Sequence, residues 1–410
     1  MPNQATQGLK MFVSTTVQQE ATKIGRTTSE RPIRILAFFE SNGIMGAAKP
    51  VMEFAQEAAL TGNQSIELAT LLFVRCKEEN PLIDIVSGRG IPIDTIDERY
   101  AWDPQTFPQL RAIFEKRRPD IIWTNNSKSH FLARLMGFRR HTAWVAFHHG
   151  HTRVSLRTRL YHELDRWSLR AADRIVTVCD YFAKDLQRMG LPANRISVHH
   201  NPIRLLPPAT EDEKRGLRAE IGLPDGARVL LSIGRLALEK GHAELIRAMA
   251  RLRAEGSASN VYLLILGVGP EKDALLALRS ELELDDVVRF CGQKADVRPY
   301  YGIANIFVLP SYTEGSPNVL LEALAAELPI VATAVGGVPE LVTHEVNALL
   351  VPKQDVPQLA NAIRRLLDDS ELRRRFSGNC KDVVARHDPH SYFESILGIF
   401  EQVAREARAN

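Results

Sequence analysis

The chain has 410 residues, more than one hydrophobic core usually organises, and this length predicts about two domains. Hydrophobic residues make up 45% of the sequence and charged residues 25%, a composition that excludes an intrinsically disordered protein. No apolar stretch reaches the roughly 20 residues that a membrane-spanning helix needs. A net charge of +3 is too small to indicate a nucleic-acid-binding protein.

The first 30 residues and the four cysteines bear on where the protein resides. Residues 1–30 are rich in Gln, Thr and Ser, carry no apolar core of the signal-peptide kind, and predict a mobile tail. Cys76, Cys179, Cys291 and Cys380 are widely separated and form no Cys-x-x-Cys pair. This pattern indicates reduced, buried thiols and a cytoplasmic protein.

A first domain is predicted over residues 31–205, and it begins with an apolar strand at Ile33–Phe39. Gly43 and Gly46 follow, before apolar residues recur with helical spacing from Val51. Two interpretations of these glycines stay open. They form a tight turn between strand and helix, or they let the backbone approach a bound diphosphate or acceptor closely.

Apolar segments and amphipathic helices continue to alternate through this domain. Strands are predicted at residues 66–74, 82–86 and 120–124, and helices at residues 105–116 and 128–138. Such alternation predicts a parallel sheet covered by helices on both faces.

The predicted strand at residues 142–147 ends in His148-His149-Gly150-His151. Ligands of open parallel sheets bind at the carboxyl ends of strands, so this cluster is a candidate site. A zinc site is not expected, because adjacent residues of an extended chain point to opposite sides and no Asp or Glu joins them nearby. Sequence alone leaves open whether His148 or His149 faces the ligand.

Arginines are concentrated around the end of this domain. They include Arg134, Arg139, Arg140, Arg153, Arg157 and Arg159, and they lie near Phe131 and Leu135. The set is interpreted either as a solvated helix face or as a surface for anionic lipid headgroups or a phosphate-bearing acceptor. Nucleic-acid binding is an alternative from a different class, which the lack of interleaved aromatic residues disfavours.

A second domain is predicted over residues 206–387, after a linker marked by Pro202, Pro207 and Pro208. Its first apolar strand is followed by Arg235 and Lys240, two cations that would ordinarily be loop charges. Further along, Gly292 follows another strand. Residues 388–410 are predicted as a helical tail, which is amphipathic over residues 392–404.

Residues 311–326 combine a turn, a helix start and two carboxylates. Glu314 and Gly315 lie in the turn, Ser316 suits an N-cap and Pro317 suits the first helical position. The free N–H groups of Asn318, Val319 and Leu320 would then form a phosphate site, with Glu322 facing it. Glu322 is also favourable to the helix dipole without any ligand.

Four sequence motifs, spread over roughly residues 33–400, resemble those of the retaining glycosyltransferases of family 4, the glycosyl transferases group 1. In chain order, the motifs are the first glycine loop, His149-Gly150, Arg235 with Lys240, and residues 311–326 with the later Gly336-Gly337-Val338-Pro339-Glu340. The resemblance implies the GT-B architecture, in which two Rossmann-like domains face each other and a carboxyl-terminal helix, here within residues 388–410, returns to the first domain.

The resemblance also implies roles for individual residues. Arg235, Lys240 and the N–H groups at residues 318–320 would hold the donor diphosphate. Glu322 would bind ribose hydroxyls, and Glu314 and His149 would bind the transferred sugar from opposite sides. Other donor-binding positions implied by the resemblance are Gly43, Gly46, Gly292, Gly315 and Ser316.

The predicted activity is transfer of a sugar from a nucleoside-diphosphate sugar to an acceptor hydroxyl with retention of configuration. No Asp-x-Asp pair follows a strand, so neither a metal nor another cofactor is expected. A saccharide or lipid-linked acceptor in cell-envelope or exopolysaccharide assembly is expected, on the inner face of the cytoplasmic membrane. The alternative within this architecture is a nucleotide-sugar 2-epimerase; the sugar, the base, the acceptor and the oligomeric state stay open.

Overall fold

A computed structural model describes residues 31–40, 48–75, 80–100, 103–138, 142–150 and 156–409 of the chain. The secondary-structure elements belong to one compact unit that begins at Ile33. Within the described residues they form two parallel sheets, each covered by helices.

The first sheet is built from strands in the amino-terminal half of the chain. Its strands are β1 (Ile33–Phe39), β2 (Ile66–Arg75), β3 (Ile93–Glu98), β4 (Ile121–Thr124), β5 (Ala143–His148), β6 (Arg174–Thr177) and β7 (Ile196–Val198). Its helices are α1 (Ala48–Leu60), α2 (Pro81–Gly88), α3 (Thr106–Arg117), α4 (Ser127–Met136), α5 (Leu156–Leu169) and α6 (Asp180–Arg188). In the described part of the chain the strand order is β3-β2-β1-β4-β5-β6-β7, and the pairs are parallel.

The second sheet repeats this plan. Its strands are β8 (Arg228–Ile233), β9 (Val261–Leu266), β10 (Val288–Gly292), β11 (Ile306–Leu309), β12 (Ile330–Thr333) and β13 (Ala348–Val351), in the order β10-β9-β8-β11-β12-β13. Its helices are α7 (Glu211–Glu220), α8 (His242–Ala254), α9 (Lys272–Glu281), α10 (Arg298–Ile303), α11 (Asn318–Ala325), α12 (Val338–Leu341), α13 (Val356–Asp368), α14 (Ser370–Gly378) and α15 (Lys381–Ala385). Central strands such as β11 and β12 are buried at every position, as expected for a sheet covered on both faces.

The last helix, α16 (Pro389–Ala409), packs on the first sheet although it follows the second in sequence. The ring of Phe393 lies 4.9 Å from that of Phe54, and Phe400 lies 5.2 Å from Trp123. These contacts bury the apolar stripe of α16 in the core between β1, β4 and α1. The prediction of two facing Rossmann-like domains with a returning carboxyl-terminal helix is confirmed.

One predicted segment differs from the structure. Residues 82–86, which were predicted as a strand, lie within helix α2, whose start is capped because the Asn80 side chain accepts the Leu82 N–H at 3.0 Å. The neighbouring strand β3 was missed. It is an edge strand with the polar sequence Ile-Asp-Thr-Ile-Asp-Glu, so it lacks the continuous apolar run that marks the central strands.

None of the helices in the described residues combines the length and the hydrophobicity that a membrane-spanning segment requires. Cys179, Cys291 and Cys380 are free thiols, and Cys179 and Cys380 are buried. Cys76 and the predicted tail at residues 1–30 lie outside the described residues.

Candidate active site

The loop after β11 approaches the first sheet so closely that a side chain larger than hydrogen would not fit at Gly315. A Cβ atom there would lie 2.8 Å from the Phe182 ring, 3.0 Å from Val178 and 3.4 Å from the His149 carbonyl oxygen. The predicted donor motif and the end of β5 therefore lie directly against each other at the boundary between the two sheets, which we call the cleft.

The structure distinguishes the two candidate histidines. His148 is buried, its Nδ1 lies 3.6 Å from Asp165 Oδ2, and its carbonyl accepts a hydrogen bond from Thr177 Oγ1 at 3.0 Å. Asp165 also contacts His130 Nδ1 at 2.6 Å, so His148 belongs to a buried cluster against α5. Alternation along the strand places His149 on the opposite side, where it is only half-buried.

The imidazole of His149 is neutral near pH 7. Burial, together with the neighbouring His148 and His130, lowers its pKa to about 3. Although part of the residue is exposed, its Nε2 atom is buried and has no hydrogen-bond partner among the described residues. A neutral ring with an unused polar atom is suited to hydrogen bonding with a ligand hydroxyl.

Lys240 and Glu314 form an ion pair at the carboxyl ends of β8 and β11. Lys240 Nζ lies 2.7 Å from Glu314 Oε1, and Ser311 Oγ donates to the same oxygen at 2.6 Å. Glu314 is only 8% exposed. Arg235, predicted beside Lys240, instead pairs with Glu239, and its side chain is largely exposed.

The start of α11 differs from the prediction. Pro317, not Ser316, is the N-cap, and the helix begins at Asn318. Ser316 instead contacts the linker residue Asn201: the Asn201 N–H donates to Ser316 Oγ at 3.3 Å, and Asn201 Nδ2 donates to the Ser316 carbonyl at 2.8 Å.

This helix start leaves fewer free N–H groups for binding a phosphate than the sequence predicted. The Leu320 N–H is not free, since it donates to the Pro317 carbonyl at 3.0 Å. Asn318 and Val319 keep N–H groups without an acceptor among the described residues. Two donors therefore point out of the helix start, where an anion would be favoured.

Glu322 has two partners that sequence reasoning missed. Lys49, in the first turn of α1, places its Nζ 3.2 Å from Glu322 Oε1, and the Tyr301 hydroxyl lies 3.1 Å from Glu322 Oε2. Burial raises the pKa of Tyr301, and Glu322 raises it further. The position of Lys49 directly after the glycine loop was the one signal in the sequence.

The remaining predicted positions contribute less to this cluster. Gly292 ends β10, the edge strand of its sheet, and its carbonyl accepts the Gly267 N–H at 2.8 Å. Gly43, Gly46 and His151 lie outside the described residues. In the part of the chain that the structure describes, no three His, Cys, Asp or Glu side chains are grouped as a metal would require.

Two models of known protein families match this chain, one in the region of each sheet. The model "Glycosyltransferase Family 4" matches residues 46–205, and the model "Glycosyl transferases group 1" matches residues 213–383.

Two curated relatives are similar in sequence over part of their length. The lipopolysaccharide core biosynthesis glycosyltransferase LpsD of Rhizobium meliloti is 36% identical over 186 residues, 45% of this chain and 52% of LpsD. The putative colanic acid biosynthesis glycosyltransferase WcaL of Escherichia coli is 33% identical over 213 residues, 50% of each chain. The chain thus spans about half the length of the curated relatives it matches.

Solved structures share the fold over nearly the whole chain. HepE of Anabaena, in a complex with UDP and glucose, gives a TM-score of 0.78 at 20% identity and covers 90% of this chain and 100% of its own. Sucrose-phosphate synthase of Thermosynechococcus elongatus gives 0.74 at 23% identity, over 90% and 99%. With both sheets matched by family models and the whole architecture shared, the chain belongs to the group 1 glycosyltransferases of the GT-B fold.

Proposed function

We propose that this protein transfers a sugar from a nucleoside-diphosphate sugar to an acceptor hydroxyl, with retention of configuration and without a metal ion. The observation that carries the proposal is the convergence of Lys240, Glu314 and the start of α11 on one side of the cleft, opposite His149. Cations and free N–H groups on one wall suit a diphosphate, and carboxylates suit sugar hydroxyls.

In this proposal the diphosphate binds at the start of α11. Negative charge grows on the diphosphate as the glycosidic bond breaks, and Lys240 with the N–H groups of Asn318 and Val319 stabilises it. Arg235 reaches the same group by leaving Glu239, which its exposed side chain permits. Glu322 binds the ribose, after exchanging its contact with Lys49 for the ribose hydroxyls.

The sugar lies between Glu314 and His149. The neutral His149 ring hydrogen-bonds a sugar hydroxyl through Nε2, and Glu314 accepts hydrogen bonds from the hydroxyls on the other side. The neighbouring structure of HepE contains UDP and glucose, which makes UDP-glucose the first donor to test. The names of LpsD and WcaL support an acceptor from lipopolysaccharide or exopolysaccharide assembly.

The donor is tested by thermal stabilisation of the purified chain with uridine, guanosine and adenosine diphosphate sugars. We expect one base to raise the unfolding midpoint, because a ligand that binds only the folded state stabilises it by mass action. Glu322→Ala abolishes this shift, whereas Glu394→Ala, at an exposed position of α16, leaves it unchanged. No shift with any donor, or an equal shift in Glu322→Ala, contradicts the proposed donor site.

The reaction itself is tested with the donor so identified. Transfer is expected to continue in EDTA; loss of activity that magnesium or manganese restores would show that a metal takes part. Release of a free epimer of the donor sugar in the absence of any acceptor would identify a 2-epimerase instead.

The exposed side of α4 and α5 is the proposed contact with the membrane. Here the Arg134 guanidinium lies 3.8 Å from the Trp167 ring centre, and Trp167 and Leu135 are exposed. Basic and aromatic side chains together suit an anionic lipid surface. Arg139, Arg140 and Arg153 lie outside the described residues, as do the side chains of Arg157 and Arg159.

Co-sedimentation with liposomes tests this surface. Binding to vesicles with anionic lipids and not to neutral ones, weakened by salt, is expected, because each basic residue near such a surface contributes on the order of 1 kcal/mol. A double variant, Leu135→Ser with Trp167→Ser, should bind less. Equal binding to both kinds of vesicle, or to neither at low salt, makes a soluble acceptor the better candidate.

A further inference from the structure

The amino-terminal end of helix α6 is capped by a residue from the other sheet. The Asp180 N–H donates to Glu340 Oε2 at 2.8 Å, and the Tyr181 N–H donates to Glu340 Oε1 at 3.0 Å. Glu340 is 160 residues away in sequence and belongs to α12, after β12. Both carboxylate oxygens of Glu340 are therefore used on one helix end across the cleft.

Helix α6 has no cap of its own. Its N-cap residue is Cys179, whose side chain makes no capping hydrogen bond and is buried. The first N–H groups of a helix need an acceptor, and a carboxylate there also interacts favourably with the helix dipole. Glu340 satisfies both requirements only while the two sheets stay close together.

The turn that carries Glu340 also contacts the candidate site. Gly336 has φ +53°, and a Cβ atom on it would lie 1.7 Å from the Glu314 carbonyl oxygen. The next residue, Gly337, donates its N–H to that oxygen at 3.3 Å and packs on Cys179, where a Cβ would lie 2.7 Å from the Cys179 Cβ. One short turn therefore contacts Glu314 on one side and the start of α6 on the other.

The linker between the sheets borders the same contact. His200 Nδ1 donates to the Val178 carbonyl at 2.9 Å, and its Nε2 lies 3.7 Å from Glu340 Oε2. Val178 is one of the residues against which Gly315 packs. The cap, the linker and the Gly315 contact thus lie side by side.

We propose that Glu340 is a positioning residue that holds the two domains in their closed arrangement by capping α6 from across the cleft. Closure brings His149 and Glu314 to opposite sides of one sugar, so Glu340 acts on transfer without touching the substrate. The part of this proposal that concerns activity rests on the proposed function, whereas the part that concerns closure does not.

Glu340→Ala, Glu340→Gln and the control Glu394→Ala are compared as full chains. Small-angle scattering should show a larger radius of gyration for Glu340→Ala, and deuterium exchange should rise in the peptide that contains Asp180 and Tyr181. Glu340→Gln keeps one acceptor oxygen and should lie between Glu340→Ala and the unchanged protein. Glu394→Ala should match the unchanged protein.

Kinetics separates positioning from binding. In Glu340→Ala we expect kcat to fall about tenfold, because misplacing reacting groups lowers the rate of the chemical step. The dissociation constant of the free nucleoside diphosphate, measured by calorimetry, should change less than twofold, since its proposed contacts lie on the second sheet. A donor affinity that falls as much as kcat overturns the positioning role.

Asp180→Pro tests the same contact by changing helix α6 instead of Glu340. It replaces Glu340→Ala as the test if that variant does not fold. Proline is well tolerated at the first position of a helix, and the extended backbone of Cys179 suits the residue before it. This variant removes one of the two N–H donors, so exchange at Tyr181 and the radius of gyration should both rise.

Unchanged scattering and exchange in both Glu340→Ala and Asp180→Pro would overturn the proposal, whatever the activity. If the unchanged protein binds none of the donors, the proposed function fails, while scattering and exchange still decide the role of Glu340 in closure.

Discussion

Lys240 is expected to stabilise the fold as well as to bind the donor. Lys240→Met removes the cation and keeps most of the stem. It leaves Glu314, which is 8% exposed, with a buried negative charge 2.7 Å from where the ammonium was.

The size of the effect follows from the surroundings of the pair. Removing one partner of a buried ion pair destabilises a protein by about 3–5 kcal/mol. Here Ser311 Oγ still donates to Glu314, and the Lys240 side chain is 26% exposed, so water shields part of the interaction. We therefore expect the free energy of unfolding to fall by about 2 kcal/mol.

A double-mutant cycle in urea measures this coupling. Glu314→Gln removes the charge that needs Lys240, so the double variant should lose less stability than the sum of the single losses, by about 1 kcal/mol or more. Lys353→Met, at an exposed position, is the control. Purely additive losses would refute the reasoning, because they would mean that the two side chains do not stabilise each other. Lys240→Met and the double variant should also bind the nucleoside diphosphate more weakly.

Three further outcomes are expected. His149→Ala should lower kcat by about 100-fold and change the donor KM only severalfold, as measured by steady-state kinetics, since the proposed role of His149 is to contact the reacting sugar. Burial, together with the nearby charge of Lys240, lowers the pKa of His242 from 6.5 to about 4, so protonation favours unfolding. The stability that neutral His242 provides is complete above pH 6.5 and is lost as the pH falls towards 4, by up to about 1.4 kcal/mol per pH unit. His242→Gln should therefore make the thermal unfolding midpoint depend less on pH between pH 7 and 5. Gly336→Ala should destabilise the protein by about 2 kcal/mol or more in urea, because a Cβ there meets a backbone oxygen, whereas Gly398→Ala in open space on α16 should not. Equal effects of the two glycine variants would contradict the packing argument.

Local patterns in the sequence determined the architecture and the position of the cleft. Alternation of apolar strands with amphipathic helices requires parallel sheets with helices on both faces, whatever the distant contacts are. Because ligands of such sheets bind at the carboxyl ends of the strands, the sequence placed one candidate site at the histidines that end β5 and another at the carboxylates after β11, and the family resemblance implied that the two face each other. The amphipathic pattern at residues 392–404 likewise predicted a helix, and the family resemblance implied that this helix packs on the first domain, as it does.

Tertiary structure alone decided how the side chains of this site are paired. Lys240 contacts Glu314, which is 74 residues away in sequence, and Lys49 contacts Glu322, which is 273 residues away. Ser316 contacts Asn201 and does not cap its own helix. Burial against Asp165 placed His148 away from the cleft and left the other side to His149. No local sequence pattern predicts such contacts. They depend on how closely the two sheets approach each other and on which polar groups lose contact with water as a result.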